Sequence, residues 1–252
     1  MCATCGCDGA GAVVHAHGHD GHDGHDGHSH GHAPADDRTV ILQEKILAKN
    51  DAIAERNRVF LAGRGVAMVN LMSSPGSGKT TLLERTARDL AGQVRIGVIE
   101  GDQETELDAG RISAAGCAVV QVNTGAGCHL DAEMVARALE ALDPVAGSVV
   151  VVENVGNLVC PALFDLGESR RIVLASVPEG EDKPAKYPHM FRQADLVLVS
   201  KVDLLPYLRF DLERYLGDLS RIAPSARVMR ISAESGEGMT SWYDWLRPLA
   251  RG

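Results

Sequence analysis

Aliphatic residues gather along this chain in short, nearly unbroken runs, at 66–72, 94–100, 117–122, 148–153, 171–177, 194–200 and 227–231. Runs of this length, rich in Val, Ile and Leu, suit strands buried on both faces of a sheet. Between them lie stretches of helical character, for example 80–90, 130–142, 208–222 and 238–249. Such alternation predicts an α/β fold with a mostly parallel sheet flanked by helices. Ahead of the first run, Leu42, Ile46, Ile53 and Phe60 recur at intervals of four, seven and seven. That spacing predicts a helix over 39–61 with these four residues on one face, packed on the domain and ended by Gly63 and Gly65.

Residues 1–36 break the pattern. They hold Cys2, Cys5 and Cys7, then His15, His17, His19, His22, His25, His28, His30 and His32 spaced by Gly and Asp. With almost no aliphatic content, the segment cannot offset the entropy cost of folding, so it reads as a disordered, metal-binding tail on a domain spanning 37–252. The whole chain has 252 residues, enough for one good-sized core. Its net charge of −9 argues against a nucleic-acid partner, which would need clustered Lys and Arg. No apolar run approaches the ~20 residues of a membrane span, and the N-terminus lacks the apolar block of a secretory signal. A cytoplasmic protein is expected. In a reducing compartment the six cysteines point to metal or catalytic roles rather than disulfides.

After the first predicted strand comes Ser73-Ser74-Pro75-Gly76-Ser77-Gly78-Lys79-Thr80-Thr81. It resembles a Walker A loop, with Ser73 where the first Gly usually stands. Gly76, Ser77 and Gly78 let backbone N–H groups turn toward phosphate oxygens at the start of a helix. Lys79 reaches β- and γ-phosphates, and the hydroxyl of Thr80, followed by Thr81, holds Mg²⁺. Ser200-Lys201-Val202-Asp203 resembles the guanine-reading Asn-Lys-x-Asp motif with Ser for Asn. The Asp203 carboxylate accepts from guanine N1–H and the 2-amino group, which adenine cannot supply. The stem of Lys201 lies over the base, and Ser232-Ala233 resembles the loop that meets guanine O6. Two further strand ends carry carboxylates, in Glu100-Gly101-Asp102 and Glu153-Asn154-Val155-Gly156. Asp102 is the candidate Mg²⁺ contact, Glu153 the candidate for Mg²⁺ or water positioning, and Gly156 the place where a backbone N–H meets the γ-phosphate. The sequence does not separate the roles of Asp102 and Glu153.

Cys128-His129 follows a Gly-rich turn, and Cys160 lies four residues beyond Gly156. Two thiolates and an imidazole suit Ni²⁺ or Zn²⁺. This placement would couple metal to nucleotide. Cys2, Cys5 and Cys7 offer a second sulfur-rich site for Ni²⁺ or Zn²⁺, and the histidines suggest a buffer of weak sites. Cys117 reads as core, and His189 as a loop residue.

These residues together resemble the hydrogenase nickel-incorporation GTPases of the HypB family. The resemblance rests on Cys2-Ala3-Thr4-Cys5-Gly6-Cys7, the Ser74–Thr80 loop, Glu100–Gln103, Gly127-Cys128-His129, the run 153–161, the run 179–184 and Lys201–Pro206. It implies a P-loop domain that dimerises on nucleotide, hydrolyses GTP slowly with Mg²⁺, and binds nickel tightly at Cys2, Cys5 and Cys7. It also implies a nucleotide-responsive metal site at Cys128, His129 and Cys160. Expected partners are a small nickel chaperone and the hydrogenase large-subunit precursor. Other readings stay open beside it: a urease-type nickel GTPase, a nickel store, and an ATP-dependent kinase.

Overall fold

The computed structural model describes residues 37–102, 107–125 and 127–251. The Cys2, Cys5 and Cys7 motif and the histidine run lie outside the described residues. Helix α1 (Asp37–Gly63) precedes β1 (Ala67–Ser73), α2 (Lys79–Asp89), β2 (Arg95–Asp102), α3 (Leu107–Ala114), β3 (Ala118–Asn123), α4 (Ala132–Leu142) and β4 (Ser148–Glu153). Then follow β5 (Arg170–Ser176), α5 (Lys183–Lys186), α6 (Pro188–Arg192), β6 (Leu196–Ser200), α7 (Leu212–Ile222), β7 (Arg227–Arg230) and α8 (Met239–Leu246). The seven strands form one sheet in the order β3-β2-β4-β1-β5-β6-β7, and every pairing is parallel.

Successive residues of a strand face opposite sides of the sheet, and both sides are covered. Val69, Leu71, Val98, Val149 and Val151 pack with Leu82, Leu83, Ile112, Trp242 and Leu246 from α2, α3 and α8. On the opposite face Met68, Ile99, Val150 and Val152 meet α1 and α4, while Val173, Val197 and Val199 meet α6 and α7. Helix α4 starts where the Asp131 side chain accepts from the Met134 N–H, and α7 starts at Asp211 in the same way. The predicted helix over 208–222 therefore begins later, because 202–207 forms a 3₁₀ turn that Pro206 does not extend.

Helix α1 forms as predicted, and the predicted face meets the core in part. Ile53 is buried and Phe60 partly so, whereas Ile46 is 42 % exposed; the side chain of Leu42 lies outside the described residues. The inward stripe is Asn50, Ile53, Ala54, Asn57 and Leu61, and its two asparagines hydrogen-bond across the interface. Helical spacing holds, but an apolar-only count misses a stripe built partly from buried amides. No helix among the described residues is long and apolar enough to cross a membrane.

Candidate nucleotide and metal site

All six strands from β1 to β6 end on one edge of the sheet, where chain connections diverge on either side of β1 and leave a crevice. The loop after β1 fills it. Gly76 and Gly78 take φ of 73° and 99°, which only glycine adopts without strain, and Gly78 leads into α2. A cavity of about 510 Å³ opens there, lined by Lys79, Thr80, Glu100, Asp102, Glu153 and Gly156 among others. Ser73, the departure from the usual loop, accepts from Lys79 Nζ at 2.9 Å and so parks the ammonium at the cavity wall. Burial lowers the Lys79 pKa, against the pull of the Glu153, Asp108, Glu179 and Glu100 charges.

Glu100 and Glu153 stand side by side in register on β2 and β4. Glu100 is 3 % and Glu153 4 % exposed. Each has one carboxylate oxygen, Oε2, buried with no hydrogen-bond partner among the described residues. Burial, reinforced by the Glu153, Asp102 and Asp108 charges, pushes Glu100 up to about 8. Burial pushes Glu153 up to about 7, although Lys79 and the Thr80 hydroxyl, which donates to it at 2.9 Å, pull the other way. Sequence reasoning quoted Glu100 within Glu100-Gly101-Asp102 but gave the Mg²⁺ and water roles to Asp102 and Glu153 alone. The signal for Glu100 was present, since residues two apart on a strand share a face and Glu100 lies two before Asp102.

A second cavity of about 330 Å³ adjoins the first through Gly78, Thr81 and Lys201, and is lined by Asp203, Ser232 and Ala233. Ser200 Oγ donates to Ser77 O at 2.9 Å, tying this loop to the phosphate loop despite the absence of the usual Asn. Lys201, at φ 58°, reaches back to donate from Nζ to Gly76 O at 2.7 Å. Ser232 is bound into its own turn: its N–H donates to Glu237 O and its Oγ accepts from the Ser235 N–H. Ala233 is anchored by Arg85, which donates to its carbonyl at 3.1 Å.

Cys128, His129 and Cys160 come together as expected, with ligand atoms all within 4.8 Å of one another. The two sulfurs lie 2.9 Å apart, and Cys128 Sγ is 3.6 Å from His129 Nδ1. The His129 ring stacks on Phe164 at 3.9 Å between centroids, a contact that sequence gives no sign of. Burial lowers the His129 pKa, with Asp131 opposing, which favours the neutral imidazole whose lone pair a metal needs. The Asn154 side chain links this site to the phosphate cavity, because its Oδ1 accepts from both the Leu130 and the Val155 N–H groups. Gly156 completes the link. A Cβ there would lie 3.0 Å from Pro75 Cα, so the loop after β4 rests directly on the phosphate loop. Cys117, with its pKa raised by burial to about 11, packs against the core at the start of β3. His189, read from sequence as a loop residue, lies instead in the short helix α6, which Pro188 opens, and is not one of the triad.

A family model, the CobW/HypB/UreG nucleotide-binding domain, matches residues 67–230. The hydrogenase maturation factor HypB of Escherichia coli K12 is 52 % identical over 217 residues, covering 85 % of this chain and 75 % of that protein. Among solved structures, HypB of Archaeoglobus fulgidus aligns with a TM-score of 0.76 at 39 % identity, over 81 % of this chain and all of that one. HypB of Helicobacter pylori in complex with nickel aligns at 0.75 and 38 % identity, over 81 % of this chain and 95 % of that one.

Proposed function

The chain belongs to the CobW/HypB/UreG family, among its HypB hydrogenase maturation factors, and we propose that it is a GTP-hydrolysing metallochaperone that delivers nickel during maturation of [NiFe]-hydrogenase. One observation carries the reading. The Cys128–His129–Cys160 triad is built on the two loops that Asn154 and Gly156 connect to the phosphate cavity. A change at the γ-phosphate then reaches Cys160 through four residues of chain.

On binding GTP, Lys79 leaves Ser73 for the β- and γ-phosphates, and the loop amides from Gly76 to Thr80 take the phosphate oxygens. Asp203 reads guanine, Lys201 flanks the base, and the Ala233 amide meets O6, with Ser232 holding the turn. The buried, unpartnered oxygens of Glu100 and Glu153 fit a divalent cation, and Thr80, Asp102 and Glu153, with Glu100 beside them, would hold Mg²⁺. When bound, that ion neutralises charge on the β- and γ-oxygens. Glu153 orients water toward the γ-phosphate. Among the described residues, Arg111 is the arginine at the cavity rim, and it is paired with Glu84 and Asp108. Slow hydrolysis is what the family resemblance implies.

Nickel is the cargo. Cys2, Cys5 and Cys7 take it tightly, the histidines buffer it, and the triad, which also suits Zn²⁺, holds it in a nucleotide-dependent way. A GTP-dependent homodimer in the cytoplasm receives nickel from a small chaperone and serves the hydrogenase large-subunit precursor. The test is rescue of hydrogenase in cells that lack their own factor. The full chain restores nickel-dependent activity, and Lys79→Ala and Cys160→Ala do not. Undiminished rescue by Cys160→Ala, or rescue of urease alone, would overturn the proposal.

A further inference from the structure

Helix α1 grips both ligand-bearing segments through two side chains. Asn50 and Asn57 sit seven residues apart on its inner face, 6 % and 4 % exposed. Asn50 Oδ1 accepts from the Ala132 N–H at 2.9 Å, and its Nδ2 donates to Asp165 O at 2.7 Å. Asn57 Nδ2 donates to Ala132 O at 2.9 Å and to Leu166 O at 3.0 Å. Each amide therefore bridges the same two places: Ala132, three residues beyond His129, and the Asp165-Leu166 pair, just beyond the Cys160–Leu163 turn and next to Phe164. The approach is close. A Cβ at Gly167 would lie 2.4 Å from Ala54 O, and Arg58 holds the Asp165 carboxylate with two bonds of 3.1 and 2.9 Å.

We infer that Asn50 and Asn57 are positioning residues of the Cys128–His129–Cys160 centre: they set the separation of its two loops, so docking of α1 and metal binding form one linked equilibrium. This rests on the reading of the triad as a metal site. Buried amides without partners are costly, so the four bonds hold only while both segments keep their spacing. By reciprocity, a metal that fixes the spacing stabilises the docked helix as much as the docked helix favours the metal. Helix α1 follows directly on residues 1–36, so its docking would also tie the tail's attachment point to the state of the triad.

The test uses Co²⁺ in the full chain carrying Cys2→Ser, Cys5→Ser and Cys7→Ser, where thiolate-to-Co²⁺ charge-transfer absorption reports on Cys128 and Cys160. Asn50→Ala and Asn57→Ala each weaken Co²⁺ binding about tenfold or more, while GTP affinity changes less than about threefold. Trp242→Phe is the control for general destabilisation, since it removes a buried hydrogen bond to Thr86 on the other face of the sheet; it leaves Co²⁺ affinity unchanged. Asparagine variants that bind Co²⁺ like the parent, or lose no more than Trp242→Phe loses, would overturn the inference. If the parent itself shows no thiolate band, the metal-site reading fails, and the inference fails with it. A second measurement covers variants that do not fold. In the parent, Zn²⁺ slows amide exchange over residues 50–57 of α1, and unchanged exchange would overturn the inference equally.

Discussion

The Leu130 N–H donates to Asn154 Oδ1 across 3.3 Å, the same oxygen that accepts from the Val155 N–H at 2.9 Å. One side chain thus joins the segment after Cys128-His129 to the strand end that leads to Gly156 and Cys160. Asn154→Ala leaves two buried N–H groups without this acceptor, at a cost of about 1–3 kcal/mol. Urea denaturation measures that loss. Metal titrations in GDP and in a non-hydrolysable GTP analogue measure the loss of nucleotide effect that accompanies it.

Gly156→Ala tests the contact between the loop after β4 and the phosphate loop. The added Cβ meets Pro75 backbone atoms at 3.0 Å, which a flexible side chain cannot relieve. Nucleotide affinity falls by about tenfold or more, for a strain of about 1–3 kcal/mol, while circular dichroism without nucleotide stays that of the parent. Fluorescent GDP titration checks it.

Asp203→Asn exchanges an acceptor for a donor at the base. Guanine then faces an amide where it needs a carboxylate, whereas xanthine presents a carbonyl oxygen at position 2. GTP binding weakens about ten- to a hundredfold, the worth of a hydrogen bond to a charged group. XTP binding strengthens, and competition between the two nucleotides reads the change.

Glu100 and Glu153 give the nucleotide-free protein a pH dependence of definite sign. Both pKa values are raised, to about 8 and about 7, so the folded chain holds protons that the unfolded chain has released. Their contribution to stability is present below the ordinary glutamate pKa and is lost as pH rises toward about 8. Denaturation midpoints without nucleotide or divalent metal therefore fall from about pH 5 to about pH 8. Glu100→Gln flattens the fall, and Mg²⁺ with nucleotide, which needs the ionised carboxylates, reverses it.

Much of this architecture was legible because buried parallel strands are written as aliphatic runs and phosphate loops as glycine spacing. The runs at 66–72 and 148–153 became β1 and β4 with little displacement. The triad could be gathered from Cys128, His129 and Cys160 because the loops bearing them follow β3 and β4, which flank β2 and end on the same edge of the sheet. What stayed hidden depends on pairings between distant segments. Asn50 and Asn57 look like polar interruptions of a helix until Ala132 and Leu166 are seen as their partners. Phe164 looks like a core residue until His129 stacks on it. Glu100 was visible as a carboxylate, but its place beside Glu153 needed the β2–β4 register, which periodicity does not set.

The linkage of nucleotide to metal is tested most directly by titrating Ni²⁺ into the full chain carrying Cys2→Ser, Cys5→Ser and Cys7→Ser. The titration is run once with GDP and once with a non-hydrolysable GTP analogue, following the thiolate charge-transfer band of Cys128 and Cys160. The two curves differ in affinity or stoichiometry if the loop from Glu153 to Cys160 carries the γ-phosphate to the triad. Superimposable curves would contradict the switch and leave a protein that stores nickel beside a nucleotide site it does not consult.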